Sequence, residues 1–215
     1  MSQLPLLLLP DTVVFPGMTV PLHIDEERYK HLVRTVIDSE DQRFVMGLAV
    51  DDGVIGDTGP RLPRHGTYME LLNVEENIDG SYDVLAHGRE RCRLRVSHRE
   101  VINEPDGEKR LLLFVEDDPA PLERFDPNRE KLVAWDAVDT FKRYATTFFA
   151  SGTQEQVDDA LPDDTFYQAS FICANIRIPA HSRQILLEAP DLEARLRLAS
   201  QLMEERLAAH RPARD

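Results

Sequence analysis

Long apolar runs are missing from this 215-residue chain. No stretch approaches the roughly 20 residues needed to span a bilayer, so no membrane protein is expected. The first residues lack the basic segment of a secretory signal, which predicts a cytoplasmic protein. Cysteine is nearly absent: Cys92 and Cys173 form no CxxC and supply neither a disulfide framework nor a zinc set. Their apolar neighbourhoods predict two buried thiols instead. Lysine is scarce too, and none of Lys30, Lys109, Lys131 and Lys142 closes a GxxxxGK[ST] phosphate loop. GxSxG, HExxH, dinucleotide glycines and EF-hand spacing are absent. Seven histidines occur without metal-ligand spacing, and His23 is expected to be a hydrogen-bonded structural residue. The single tryptophan, Trp135, excludes a cage built from several indoles. No catalytic residue, cofactor or metal is therefore predicted. A net charge of −14, spread over both halves, argues against general binding to nucleic acid or anionic membranes.

What is present is densest near the N-terminus. Leu4 to Leu9 is a near-continuous apolar run, as in a strand buried on both faces. Val13, Val14 and Phe15 lead to Pro16-Gly17, where proline presets φ near −65° and glycine accepts positive φ, the pattern of a type II turn. From Thr19 to Ile24, Val20, Leu22 and Ile24 alternate with Thr19, Pro21 and His23. Pro21 cannot donate to a ladder, which predicts a sheet edge or bulge. Asp25 is expected to cap a helix carrying Tyr29, Leu32, Val33, Val36 and Ile37 on one face.

Further along, Phe44 to Val50 predicts another buried strand, and residues 51–66 a long Gly/Pro loop. Asp79-Gly80 predicts a hairpin between Thr67–Ile78 and Ser81–His87. Gly88 introduces a further expected strand with Cys92, Leu94 and Val96 on one face. A second hairpin should turn at Pro105-Asp106-Gly107. Beyond Glu116–Pro121 the signals are helical: Asp126 caps a helix with Pro127 at its first position. Val133, Ala137, Phe141, Tyr144, Ala145 and Phe148 form its apolar stripe. Shorter helices follow, the last capped by Asp191. The organisation is α+β, with a β-rich lobe (1–115), a junction (116–121), a helical lobe (122–209) and a tail (210–215).

Leu4-Pro5-Leu6, Leu9-Pro10-Asp11, Val14-Phe15-Pro16-Gly17-Met18, Pro21-Leu22-His23-Ile24 and Arg28-Tyr29 together form a signature. It resembles the N-terminal, substrate-recognition domain of Lon proteases, and more closely the small stand-alone proteins made only of that domain. Gly66-Thr67, Asp79-Gly80, Gly88-Arg89-Glu90-Arg91 and the segment 184–198 extend the resemblance over nearly the whole chain. It implies a PUA-like barrel lobe followed by a helical bundle. It also implies a non-catalytic module for proteins or unfolded peptide segments, with a separate protease or chaperone component among the candidate partners. The phosphate loop and the serine–lysine pair of a full Lon protease are not in this sequence.

Two surfaces are candidates for binding. Val54, Ile55 and Leu62 in the 51–66 loop, with Tyr68 beside it, are expected to contact a protein segment, supported by an open sheet edge that could accept an extra strand. Their alternative role is to pin the loop to the body. Arg89, Arg91, Arg93 and Arg95 recur at period two and are expected on one face of a single strand. A row of this kind could contact RNA phosphates, as in some PUA-like modules. The alternative is a solvated face neutralised by carboxylates such as Glu75, Glu76 or Asp83.

Overall fold

The structure, a computed structural model, describes residues 3–50, 61–124, 126–149 and 154–210. Seven strands come first: β1 (Gln3–Leu9), β2 (Thr19–Ile24), β3 (Arg43–Leu48), β4 (His65–Glu76), β5 (Tyr82–Arg93), β6 (Val96–Asn103) and β7 (Lys109–Glu116), with α1 (Glu27–Ile37) between β2 and β3. Helices α2 (Pro127–Phe148), α3 (Gln154–Ala160), α4 (Thr165–Asn175), α5 (Ala180–Leu187) and α6 (Leu192–His210) follow. This is the α+β arrangement expected. The chain divides into two compact units, Met1–Pro121 with Pro179–Leu187, and Leu122–Ile178 with Glu188–Asp215. Helix α5 therefore belongs with the strands.

The strands form one sheet in the order β2-β5-β4-β3-β1-β7-β6. The N-terminal leucine run occupies its centre, β1 pairing parallel with β3 and antiparallel with β7. Pro5 is tolerated there because it pairs with β7 at Phe114, whereas β3 pairs only from Leu6 onward.

The period of two divides the strand side chains between two cores. Leu7, Phe44, Met46, Met69, Val84, Ala86, Leu112 and Phe114 pack with Tyr29, Leu32, Val33 and Val36 of α1. Their immediate neighbours Leu6, Val45, Tyr68, Leu113 and Val115 join Leu4 and Cys92 in a second cluster. Both faces of the central strands are thus dry, which explains their unbroken apolar sequence.

At the chain's opening turn, Met18 N–H donates to Phe15 O (3.1 Å) and Gly17 has φ 88°, as a type II turn requires. Gly17 N–H also donates to Gly88 O, and Gly88 N–H donates to Met18 O, both at 2.7 Å. Two residues therefore oppose one, a bulge with glycine at its first position. Gly88 does not break the chain into two strands, contrary to expectation. It lies inside β5, where a Cβ would stand 2.9 Å from Phe15 O, so only glycine lets the turn settle on the strand.

Helix α1 buries Tyr29, Leu32, Val33 and Val36 of the expected stripe, but Ile37, at its last position, is 41% exposed. Its N-cap is Glu26, not Asp25, and no side chain of its own caps it. The buried carboxylate of Glu104, just past β6, accepts from Glu27 N (2.9 Å) and Arg28 N (3.2 Å). A long-range acceptor satisfies the exposed donors and complements the helix dipole.

In the second unit, Asp126 Oδ1 accepts from Asn128 N (2.9 Å) and Pro127 opens α2. Val133, Ala137, Phe141, Tyr144 and Ala145 are buried as the periodicity implies. Asp164 and Asp191 cap α4 and α6 through Phe166 N (2.8 Å) and Ala194 N (2.7 Å). The Tyr144 hydroxyl reaches beyond its own helix and accepts from Arg177 N (3.0 Å).

Candidate functional site

The second face of the sheet is not dry everywhere. Over β4, β5 and β2 its side chains are exposed, and the register arranges them in rows. His23, Asp83 and Glu75 form one row, and Pro21, Leu85 and Asn73 the next. Thr19, His87 and Glu70 form the third. A register shift between Leu71 and Asn73 leaves Leu72 as an extra residue of β4. Leu85, on this face, is 38% exposed, and Leu72, at the adjacent bulge, is 52% exposed. Pro21, Leu22, His23, Asn73, Glu75, Asp83, Val84 and Leu85 line a groove of about 350 Å³.

The two ends of this face differ electrically. At the first, His23 Nδ1 donates to Asp83 Oδ1 (2.7 Å) and Asn77 Nδ2 donates to Asp83 Oδ2 (3.0 Å). The bond to Asp83 raises the His23 pKa, with Asp25 and Asp79 adding negative potential. The same bonds, His23 first, hold the Asp83 carboxyl below its usual value. Asp79 is lowered by the Ser81 hydroxyl and amide. At the other end Arg89 pairs with Glu70, and Thr19 Oγ1 and His87 Nδ1 share a bond of 3.0 Å.

Two other cavities are less suited to an outside ligand. One of about 570 Å³ is lined by Asp126, Arg129, Asp191, Glu193, Ala194 and Arg197. There Glu193 already holds both arginines, at 2.7 Å and 2.8 Å. The other, about 330 Å³, lies between β1 and the end of α1, where Arg43 bonds Asp41 (3.0 Å). Among the described residues no group of three His, Cys, Asp or Glu could hold a metal ion. Cys92 and Cys173 are free and buried, and burial pushes both thiols up to about 12.

The chain's kinship can now be set beside this geometry. Residues 3–205 match the model of the ATP-dependent protease La (LON) substrate-binding domain. The chain belongs to the Lon substrate-binding domain family. It is 24% identical over 203 residues to a Lon protease of Elusimicrobium minutum, covering 94% of this chain and 23% of that protein. It is 22% identical over 203 residues to Lon protease 2 of Desulfotalea psychrophila, covering 93% and 24%. It thus spans about a quarter of the curated relatives' length. The fold is similar to the N-terminal domain of Mycobacterium avium complex Lon protease, at TM-score 0.71 and 20% identity, over 95% of this chain and 99% of that one. A Lon N-terminal domain protein from Xanthomonas campestris aligns at TM-score 0.52 and 22% identity, over 99% and 100%.

Within this Lon domain the sequence-derived candidates scatter. Val54 and Ile55 lie outside the described residues. Leu62 is half-buried against the second core cluster. Tyr68 is no surface residue: it is 3% exposed, and its hydroxyl donates to Asp117 Oδ1 at 2.6 Å. Burial and that bond raise the phenol pKa, and the Arg43 guanidinium stands 5.8 Å from the ring. An aromatic at this register points inward because its alternation partner Met69 already faces the α1 side.

The arginine row is also corrected. Between Gly88 and Arg91 the β5 register shifts against Met69 and Thr67, inserting an extra residue. Side-chain parity flips there: even-numbered Val84 and Ala86 join the α1 core, whereas even-numbered Cys92 joins the other. Arg89 and Arg91 therefore cannot share a face. Arg91 is buried, donating to Ala120 O (2.7 Å), Leu187 O (3.1 Å) and Pro121 O (3.3 Å). Arg93 and Arg95 lie 3.3 Å and 3.5 Å from Asp118. The neutralising carboxylates are Glu70 and Asp118, not the expected Glu75, Glu76 or Asp83. Sequence reasoning missed Leu72 and Leu85. Leu85 was detectable as an apolar residue between Asp83 and His87 on the polar phase of β5; Leu72 was not, because a bulge sets its direction.

Proposed function

We propose that this chain is a non-catalytic module that recognises protein segments, and that it does so on the exposed face of β4, β5 and β2. The observation that carries the reading is the match of residues 3–205 to a family described as the Lon substrate-binding domain. The exposed face supplies a physical means, since a groove with an apolar floor and a polar rim suits side chains of an unfolded segment. Partners of this kind include unfolded chains presented to a separate protease or chaperone. The RNA alternative loses its main support because Arg91 is buried on backbone carbonyls and Arg89, Arg93 and Arg95 are each paired with a carboxylate.

The test is fluorescence anisotropy with a labelled, reduced and carboxymethylated protein as an unfolded probe, its native form and a single-stranded RNA. Binding of the unfolded probe, with neither native protein nor RNA competing, is expected. Salt-sensitive RNA binding without binding of the unfolded probe would overturn the reading.

A further inference from the structure

We infer that the exposed face of β4, β5 and β2 selects extended segments in which an apolar side chain lies two residues from a lysine or arginine. The inference rests on the protein-segment reading and specifies the chemistry that reading leaves open. It begins at the sheet edge. β2 is an outermost strand, but its ladder cannot readily be extended. The Gly88–Met18 bond sets the alternation, so Val20, Leu22 and Ile24 exchange bonds with β5. Thr19, Pro21 and His23 turn their backbone groups outward. The middle one is proline, with no N–H to offer an incoming strand. Recognition at this end therefore falls to side chains on the face.

Those side chains form a graded surface. Pro21 and Leu85 make an apolar floor, and the exposed Leu72 stands at the adjacent bulge of β4. The next row toward the hairpin tip places Glu75 directly opposite Asp83, a like-charge cross-strand pair that costs stability when unrelieved. His23 and Asn77 engage Asp83, whereas Glu75 makes no ion pair with a described residue. Asp79 and Asp25 add to the negative potential at His23. The row beyond the floor is neutralised by the Arg89–Glu70 pair. The face thus has one anionic end, where Glu75 stands beside the His23–Asp83 pair without an ion pair of its own to a described residue, and a cation placed there relieves the Glu75–Asp83 repulsion. Rows two residues apart along a strand are separated by about 7 Å. Side chains i and i+2 of an extended peptide have that same spacing. An apolar residue seated on Pro21 and Leu85 consequently brings a basic residue two positions away over Glu75 and Asp83.

The experiment uses three Gly/Ser-based labelled peptides carrying Phe-Ser-Lys, Phe-Ser-Glu or Ser-Ser-Lys, titrated with the full chain. The Phe-Ser-Lys peptide should bind about tenfold more tightly than either other peptide, a modest electrostatic difference. The preference over Phe-Ser-Glu should shrink at high salt. Glu75→Gln with Asp83→Asn should abolish that preference while leaving phenylalanine-dependent binding. Glu75→Lys should reverse it, and this gain guards against a loss caused merely by misfolding. Equal binding of Phe-Ser-Lys and Phe-Ser-Glu by wild type overturns the inference, and so does a lysine preference unaffected by the Glu75 and Asp83 variants. In both cases binding of the unfolded probe leaves the broader reading standing. Failure to bind that probe and all three peptides overturns both.

Discussion

Replacing Arg91 by methionine tests how the strand unit holds its distant helix. Arg91 is 7% exposed, and its guanidinium donates to Ala120 O, Pro121 O and Leu187 O. Hydrogen bonds to a charged group are each worth about 1.5–3 kcal/mol net, and each carbonyl left unpaired costs about 1–3 kcal/mol. The contributions overlap, and methionine preserves much of the apolar stem, so the net loss should be about 3 kcal/mol. In a chain of this size that lowers Tm by about 6–12 °C. Arg93→Met is the control: its side chain is 51% exposed beside Asp118, so it should cost no more than about 1 kcal/mol. Thermal melting by circular dichroism compares the two, and hydrogen exchange locates the effect. Amides of α5, whose last residue is Leu187, should exchange faster in Arg91→Met alone. If both variants melt within about 2 °C of each other and α5 keeps its wild-type protection, the anchoring argument is wrong.

NMR titration should give His23 a pKa above 6.5, and Asp83→Asn should lower it. The stability contributed by this pair is complete only between the ordinary carboxylate range and pH 6.5: it disappears as pH rises through the raised His23 pKa and as pH falls through the lowered Asp83 pKa. Gly88→Ala should lose about 1–3 kcal/mol in chemical denaturation, because its Cβ would press on the Phe15 carbonyl at 2.9 Å, a backbone atom with little room to yield. Glu104→Ala should cost about 1 kcal/mol, as for loss of a helix cap, and increase hydrogen exchange in the first turn of α1. A variant as stable as wild type would remove Glu104 from that role.

Local chemistry carried much of the fold in legible form. Phe15-Pro16-Gly17 forms the expected turn, Asp126 and Asp191 cap the expected helices, and Pro21 lies in an outermost strand. What was not legible depended on contacts distant in sequence. The α1 cap comes from Glu104, 76 or more residues away, so the local spacing pointed to Asp25 instead. Two register shifts in the β4–β5 pair defeat strict alternation. One separates the arginines into different environments, and the other exposes Leu72. A period-two pattern cannot reveal a bulge, because one inserted residue exchanges the faces of every residue beyond it.

The grouping of α5 with the strands also governs when the first unit can be finished during synthesis. Its sheet has all seven strands once Glu116 has been made, yet Leu187, the last acceptor for Arg91, emerges roughly 65 residues after Pro121. At about 5–20 residues per second, a ribosome needs several seconds to cover that interval. A nascent sheet would wait through it with Arg91 lacking one of its carbonyl partners, while most of the second unit is being made. The two units therefore cannot mature strictly one after the other, and a chain arrested near residue 121 should remain more exposed to proteases than one released at full length.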